Sequence, residues 1–151
     1  MSQENVEIVR QFYFEPSLNL AAAVEDEDFV RKRLASLRPL ADEGFEAVFD
    51  PALASAFGDF SPARPGLGGL NDAWLEWLST WESYYIEPHD FVVVDSERVL
   101  VTNTVRGRSK GAQVEVEIEA GSAWTVRDGK AVRVEQFFDL ERAKEAAGLR
   151  E

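Results

Sequence analysis

The sequence predicts an α+β fold in which helices cover one side of an antiparallel sheet. Apolar residues recur at helical spacing in several segments before Pro88. Between Arg98 and Phe138 apolar residues instead alternate with polar ones, and glycine-containing turns divide this region into three strands. Helices followed by a meander of long antiparallel strands are typical of the α+β class.

The length and composition favour one domain spanning residues 1–151. A chain of 151 residues with 45% hydrophobic content has enough apolar surface for a full core. No internal repeat, low-complexity tract or interdomain linker interrupts it. We therefore expect one folded unit.

The charge and motifs exclude several classes of function. A net charge of −12 argues against nucleic acid as a partner and against binding to anionic membranes. The chain contains no cysteine, no membrane-length apolar run and no signal peptide, so we expect a cytoplasmic protein. It also has no metal-spaced cluster, phosphate loop or nucleotide fingerprint, so we expect neither a metal nor another cofactor.

The first helices are marked by their caps and by prolines. The first should run from Ser2 to about Phe14, because Pro16 disfavours helix before it. A short helix is expected within residues 18–24. The four acids of residues 25–28 are interpreted as the solvated start of a third helix, which ends at Pro39.

The next predicted helix follows a loop at residues 62–69. Asn71 is the expected N-cap, and Leu70 and Leu75 occupy the positions of a hydrophobic staple. Pro88 should end this helix. Its apolar stripe comprises Trp74, Leu75, Leu78, Trp81 and Tyr85. The preceding segment, residues 44–60, is expected to be packed as a short strand or irregular structure.

The three C-terminal strands are predicted at residues 98–108, 112–126 and 131–138. The Asp128-Gly129 step suggests a three-residue loop, a type I turn closed by a left-handed glycine. Across such a loop, even-numbered residues of one strand pair with even-numbered residues of the next. We therefore expect the even-numbered residues of the second and third strands to share one face.

That shared face is apolar with three polar interruptions. Placing Arg106 beside the glutamates of the next strand assigns the odd-numbered residues of the first strand to the same face. The polar interruptions are then Asn103, Ser122 and Gln136. A buried amide or hydroxyl without a partner costs about 1–3 kcal/mol, so the protein, a water or a bound molecule must satisfy them.

The opposite face of the sheet should meet water or a partner. It carries Glu115, Glu117 and Glu119, together with Phe137. A lone exposed phenylalanine is common on protein surfaces, and a contact between subunits is the alternative. Both interpretations of Phe137 stay open on the sequence.

Three segments resemble the SnoaL-like branch of the nuclear transport factor 2-like superfamily. They are residues 2–10, the stretch from Trp74 to Pro88, and the ending from Ala123 through Leu149. The resemblance implies a cone-shaped fold, in which helices pack into a strongly curved antiparallel sheet around a pocket. It also implies a homodimer. Many relatives carry a histidine at what looks like the position of Ser122, and this chain does not.

The resemblance gives several candidate site residues. Relatives that are enzymes mostly use carboxylates, histidines or tyrosines inside an apolar cone. Asp50 and Asp59 are the candidate catalytic carboxylates, although a turn role is the alternative for Asp50 before Pro51. The single histidine, His89, is expected at the surface. The candidate ligand-binding residues are Asn103, Ser122, Gln136, Trp124, Phe138, Trp81 and Tyr13.

Three functions remain open on the sequence. The leading hypothesis is a domain that binds a small apolar molecule in a pocket with a few polar anchors. The second is a proton-transfer enzyme, an isomerase, cyclase or dehydratase acting on an apolar ring-bearing substrate. The third is a dimeric interaction module without a ligand. A shared fold does not decide among them.

Overall fold

A computed structural model describes residues 2–50, 63–111 and 114–148. The described residues form five α-helices and six strands, with a 3₁₀ turn at Arg38–Leu40. The α-helices are α1 (Ser2–Arg10), α2 (Leu20–Ala23), α3 (Glu27–Leu37), α4 (Gly66–Leu78) and α5 (Leu140–Ala147). The strands are β1 (Ala41–Phe49), β2 (Ala63–Pro65), β3 (Trp81–Val93), β4 (Arg98–Ser109), β5 (Glu115–Arg127) and β6 (Lys130–Phe137).

The six strands form one curled sheet in the order β2-β1-β6-β5-β4-β3. Neighbouring strands run antiparallel, except that β1 pairs with β6 in parallel. The predicted α+β fold, with helices packed against a curved sheet, is confirmed. The parallel pair is an addition, because β1 comes from the segment whose conformation the sequence left open.

The β4, β5 and β6 register confirms the predicted faces. Arg106 pairs with Glu117, as the charge pattern suggested. Ser122 pairs with Gln136, and Val101 flanks Ser122 on the other side. The glutamates at 115, 117 and 119 are exposed, so the polar side of β5 faces outward.

The turn between β5 and β6 differs from the prediction. Arg127 pairs with Lys130, so the loop contains two residues, Asp128 and Gly129, with φ of 54° and 79°. Positive φ at both positions matches a type I′ turn, the tight turn that suits twisted hairpins. A register shift at Thr125 then supplies the extra residue, and the parity beyond it is the predicted one.

The prediction of a helix from Asn71 to Pro88 is wrong at both ends. Helix α4 begins at Gly66, with Pro65 as its N-cap, and has ended by Ser79. Residues from Trp81 onward belong to strand β3, where Tyr84 pairs with Gly107. Aromatic and β-branched residues suit a strand, and the long β3–β4 ladder outweighs the helical spacing of the same residues.

Helix α1 ends at Arg10, before the predicted end near Phe14, and several other helix ends are set by local capping residues. Asp26 caps α3 by accepting from the backbone amides of Asp28 and Phe29, which confirms the acidic run as a helix start. Asp139 caps α5 in the same way, and Gly148 ends it in the left-handed conformation with φ of 86°. The cap of α2, Asn19, also accepts from the backbone amide of Tyr84, which ties this helix to β3.

Helix α5 covers part of the outer face of the sheet. It buries Ala143 and Ala147 against Leu100 and Ala123, and Phe137 packs into the same cluster. Phe137 is therefore covered by the chain's own last helix. A Cβ on Gly121 would lie 2.7 Å from the Cβ of Ala143, so this close approach requires glycine.

The main core lies between the inner face of the sheet and helices α1 to α4. Its buried members include Val9, Phe45, Val101, Trp124 and Val134. A second cluster at the other end gathers around Tyr84, which is fully buried. In the described ranges, no helix combines the length and apolar character needed to span a bilayer.

Candidate functional site

A cavity of about 110 Å³ lies between the helices and the inner face of the sheet. A single water needs roughly 10–15 Å³ of such space, so the cavity has room for a ring-sized organic molecule. Helices α2, α3 and α4 and the segment after α1 form its apolar walls. These walls include Phe12, Phe14, Leu20, Val24, Phe29, Val30, Leu34, Leu37, Leu67, Leu70, Trp74, Leu75 and Leu78.

The sheet side of the cavity carries a chain of hydrogen bonds. The indole Nε1 of Trp124 donates to the hydroxyl oxygen of Tyr13 at 3.0 Å. The hydroxyl of Ser122 donates to Oε1 of Gln136 and also bonds Tyr13. The single proton of Ser122 goes to Gln136, and the Tyr13 hydroxyl beside it is the acceptor for Trp124. The chain therefore ends at the carbonyl of Gln136, whose amide NH₂ keeps its donors for the cavity.

Tyr13 is a neutral member of this chain. Burial raises the pKa of its hydroxyl to about 12, and the bonds to Ser122 and Trp124 offset only part of that rise. The phenol therefore stays protonated near neutral pH. It positions Ser122 and Trp124, and it links the end of α1 to β5.

Asn103 supplies an unsatisfied acceptor to the cavity. It lies on β4, is 5% exposed and lines the cavity. Its Oδ1 is buried and has no hydrogen-bond partner among the described residues. A buried carbonyl without a donor is costly, so a donor from a bound molecule would be stabilised there.

Arg33 is a charged residue on the helical side of the cavity. Its guanidinium donates to the backbone carbonyls of Gln11 and Tyr13, at 2.6 and 3.3 Å, and stacks over the ring of Phe14. Burial lowers the pKa of this guanidinium from its usual value. Its Nε atom is buried without a hydrogen-bond partner in the part of the chain that the structure describes.

A smaller space of about 20 Å³ adjoins the sheet side. It shares Trp74, Ile86, Asn103 and Gln136 with the larger cavity. Ser122 and Phe138 line it as well. The two amide side chains therefore face both spaces, and the smaller one extends the cavity beneath Trp74.

The predicted ligand-binding residues fall into two groups. Tyr13, Asn103, Trp124 and Gln136 line the larger cavity, and Ser122 and Phe138 line the smaller space. Trp81 lies apart from both groups, because it packs its ring over Gly107 and against Trp77 and Tyr84. Its strand conformation, missed by the helix prediction, places it there.

Of the two candidate catalytic carboxylates, Asp50 lies within the described residues. Asp50 follows β1, and its buried carboxylate forms an ion pair with Arg142 of α5 at 2.9 Å. It is not among the residues that line the cavity. Asp59 lies outside the described residues. The described cavity wall thus contains neither a carboxylate nor a histidine.

The single histidine lies on the outer face, as predicted. His89 is exposed, and its Nε2 lies 2.6 Å from Oγ1 of Thr104, which in turn donates to Glu119. These contacts join three strands on the side away from the cavity. Among the described residues, no group of three acidic or histidine side chains is placed to hold a metal ion.

The sequence reasoning missed Arg33 and most of the helical wall. A signal was present for the wall, because Val30, Leu34 and Leu37 recur at helical spacing. Arg33 gave no such signal. Its place in the cavity depends on a contact with the turn after α1, more than 20 residues earlier in the chain.

The arrangement suits binding more directly than proton transfer. The walls are aromatic and aliphatic, which favours an apolar ring. Asn103 offers an acceptor, the Gln136 amide offers donors, and Arg33 offers a positive charge. None of these groups ionises usefully near neutral pH.

A known protein family and several solved structures are similar to this chain. A family model for the SnoaL-like domain matches residues 22–134. No protein of curated function shows significant sequence similarity to the chain.

Solved structures with the same fold cover nearly the whole chain. The crystal structure of TerC co-crystallised with polyporic acid is 18% identical, covers 96% of this chain and 98% of its own, and has a TM-score of 0.67. A nuclear transport factor 2-like protein of unknown function from Burkholderia pseudomallei is also 18% identical, with coverage of 94% and 95% and a TM-score of 0.67. A nuclear transport factor 2-like protein from Burkholderia xenovorans is 26% identical, with coverage of 93% and 95% and a TM-score of 0.60. These similarities establish the fold.

Proposed function

The chain belongs to the SnoaL-like domain family, and from this premise and the chemistry of its cavity we propose that it binds a small, largely apolar molecule between its helices and its sheet. The ligand would lie with its ring against Trp74, Trp124 and the leucines of α4. Its polar atoms would meet the amides on the sheet.

The unpaired Oδ1 of Asn103 is the observation that carries this proposal. Buried polar atoms in folded proteins nearly always have partners, and exceptions often mark functional positions. Oδ1 of Asn103 is such an exception, and it belongs to a residue that lines the cavity. A ligand that donates a hydrogen bond to this atom would offset the free-energy cost of burying it without a partner.

The neighbouring polar groups support the same function. The chain from Trp124 through Tyr13 and Ser122 fixes the carbonyl of Gln136 and directs its amide donors away. Side chains held in this way bind with little loss of conformational entropy. TerC, which shares the fold, was co-crystallised with polyporic acid, and this supports a small organic molecule as the kind of ligand.

A proton-transfer enzyme is less well supported. Such a reaction needs a base within hydrogen-bond reach of the substrate. Asp50, the candidate within the described residues, is held by Arg142 and does not line the cavity. Binding is therefore the function that the described geometry favours.

The test is a titration of tryptophan fluorescence with propylbenzene, an apolar single-ring probe. Trp74 and Trp124 line the cavity and should report its occupation. The variant Val24→Phe adds volume to the cavity wall and should weaken binding. The variant Val93→Phe makes the same change at an exposed position, 36% exposed on β3, and should leave binding unchanged.

Native mass spectrometry of the purified protein complements this titration. A retained small molecule that is absent from the Val24→Phe variant would support the proposal directly. Failure of propylbenzene to bind, together with the absence of any retained molecule, would overturn it.

A further inference from the structure

Two residues on opposite sides of the cavity each carry a buried polar atom without a partner, and the two atoms differ in kind. Oδ1 of Asn103, on the sheet side, is a buried acceptor without a donor among the described residues. Nε of Arg33, on the helical side, is a buried donor without an acceptor in the same set. Both residues line the cavity. A ligand that satisfies both must carry a donor at one end and an acceptor at the other.

The position of Arg33 is fixed by its other contacts. Its terminal nitrogen donates to the carbonyls of Gln11 and Tyr13, and its plane stacks on Phe14 at 4.2 Å. The guanidinium is thus anchored, and its buried Nε keeps an unused donor among the described residues. The fixed plane of a guanidinium favours planar acceptors such as carboxylates.

The charges around the cavity favour an anion at this end. No carboxylate is among the described residues that line it, and the structure gives Arg33 no ion-pair partner within those residues. A guanidinium that is partly removed from water is stabilised by an opposite charge. A carboxylate meets this need more fully than a neutral carbonyl.

We propose that the ligand is a hydroxylated aromatic or alicyclic carboxylic acid. Its hydroxyl donates to Oδ1 of Asn103, its ring lies against Trp74 and Trp124, and its carboxylate accepts from Nε of Arg33. This inference rests on the proposed binding function and names the chemical class of the ligand.

Four probes that share a single ring separate the two contributions. Propylbenzene carries neither polar group, 4-propylphenol carries the hydroxyl, 3-phenylpropanoate carries the carboxylate, and 3-(4-hydroxyphenyl)propanoate carries both. Their dissociation constants for the wild-type protein are measured by the same fluorescence titration. Homologues with one methylene more or fewer allow for the span between Asn103 and Arg33.

We expect each polar group to strengthen binding by about tenfold, and the hydroxy acid to bind most tightly. The variant Asn103→Leu, of similar shape, should remove the gain from the hydroxyl and keep the gain from the carboxylate. The variant Arg33→Met should do the reverse. Far-ultraviolet circular dichroism and thermal unfolding check that both variants keep the fold.

The outcomes separate the two proposals. If propylbenzene binds and neither polar group adds affinity across the series, the ligand class is wrong and the binding function stands. If no probe binds and native mass spectrometry finds no retained molecule, both proposals fail. The wild-type series decides the ligand class even if one of the two variants does not fold.

Discussion

Ser122 and Gln136 are cross-strand partners on β5 and β6, and the serine hydroxyl donates to the Oε1 atom of the glutamine. This bond joins two of the three polar residues that interrupt the apolar face of the sheet. It also fixes which end of the Gln136 amide faces the cavity. The bond therefore links the register of the sheet to the chemistry of the proposed binding site.

Removing this bond should lower stability. The variant Ser122→Ala leaves the carbonyl of Gln136 without its donor and should reduce the free energy of unfolding by about 1–3 kcal/mol. Urea denaturation followed by fluorescence measures this change. In the double variant with Gln136→Leu, which removes both partners, the loss should be smaller than the sum of the single losses. Ser36→Ala, at an exposed position on α3, is the control and should have little effect.

The packing of α5 on the sheet should depend on Gly121. In Gly121→Ala the new methyl group would clash with Ala143, and we expect a destabilisation of about 1–3 kcal/mol. The control is Gly68→Ala in α4, where no atom lies within 4 Å of the new methyl. That change should stabilise the helix by up to about 1 kcal/mol. Thermal unfolding distinguishes them, and equal losses in both variants would contradict the close contact.

Asp50 should act in stability and not in ligand binding. Asp50→Asn weakens the buried ion pair with Arg142, and we expect a loss of about 1–3 kcal/mol in the free energy of unfolding. The dissociation constant for propylbenzene should stay unchanged, because the carboxylate does not line the cavity. Asp28→Asn disrupts an exposed ion pair with Arg31 and should change stability little. Weaker probe binding in Asp50→Asn alone would restore a role for this carboxylate in the site.

Stability should fall in strongly alkaline solution, partly because of Tyr13. Its pKa is about 12 in the folded protein and about 10 when unfolded. Between these values the unfolded state loses a proton that the folded state keeps, so rising pH favours unfolding. The stabilisation is fully present below pH 10 and is lost as the pH approaches 12.

The variant Tyr13→Phe tests this pH dependence. The free energy of unfolding is measured at several pH values between 9 and 12 for both proteins. We expect the variant to be less stable at pH 8, because Trp124 loses its acceptor, and to lose less stability as the pH rises. Burial also raises the pKa of Tyr84, so a double variant with Tyr84→Phe should flatten the profile further. Parallel profiles for the wild type and Tyr13→Phe would contradict the prediction.

The sequence alone determined the C-terminal sheet and its two faces. Alternation in β4 and β5 and the charge match of Arg106 with Glu117 were sufficient to place Asn103 and Ser122 on one apolar face. Gln136 was placed there through a loop of the wrong length, and the register shift at Thr125 restored its parity. Side chains in a strand alternate with a period of two, so a single correct register assigns every residue. The acidic run at residues 25–28 likewise marked the start of α3 locally.

Only the tertiary structure decided where α4 gives way to β3, and which groups meet at the cavity. The stretch around Trp81 satisfies a helical spacing, and pairing with β4 makes it a strand. Arg33 reaches the cavity through Gln11 and Tyr13, and Asp50 is drawn to Arg142 of the last helix. These outcomes depend on contacts between residues distant in the chain, and the free energy of such contacts outweighs local preference.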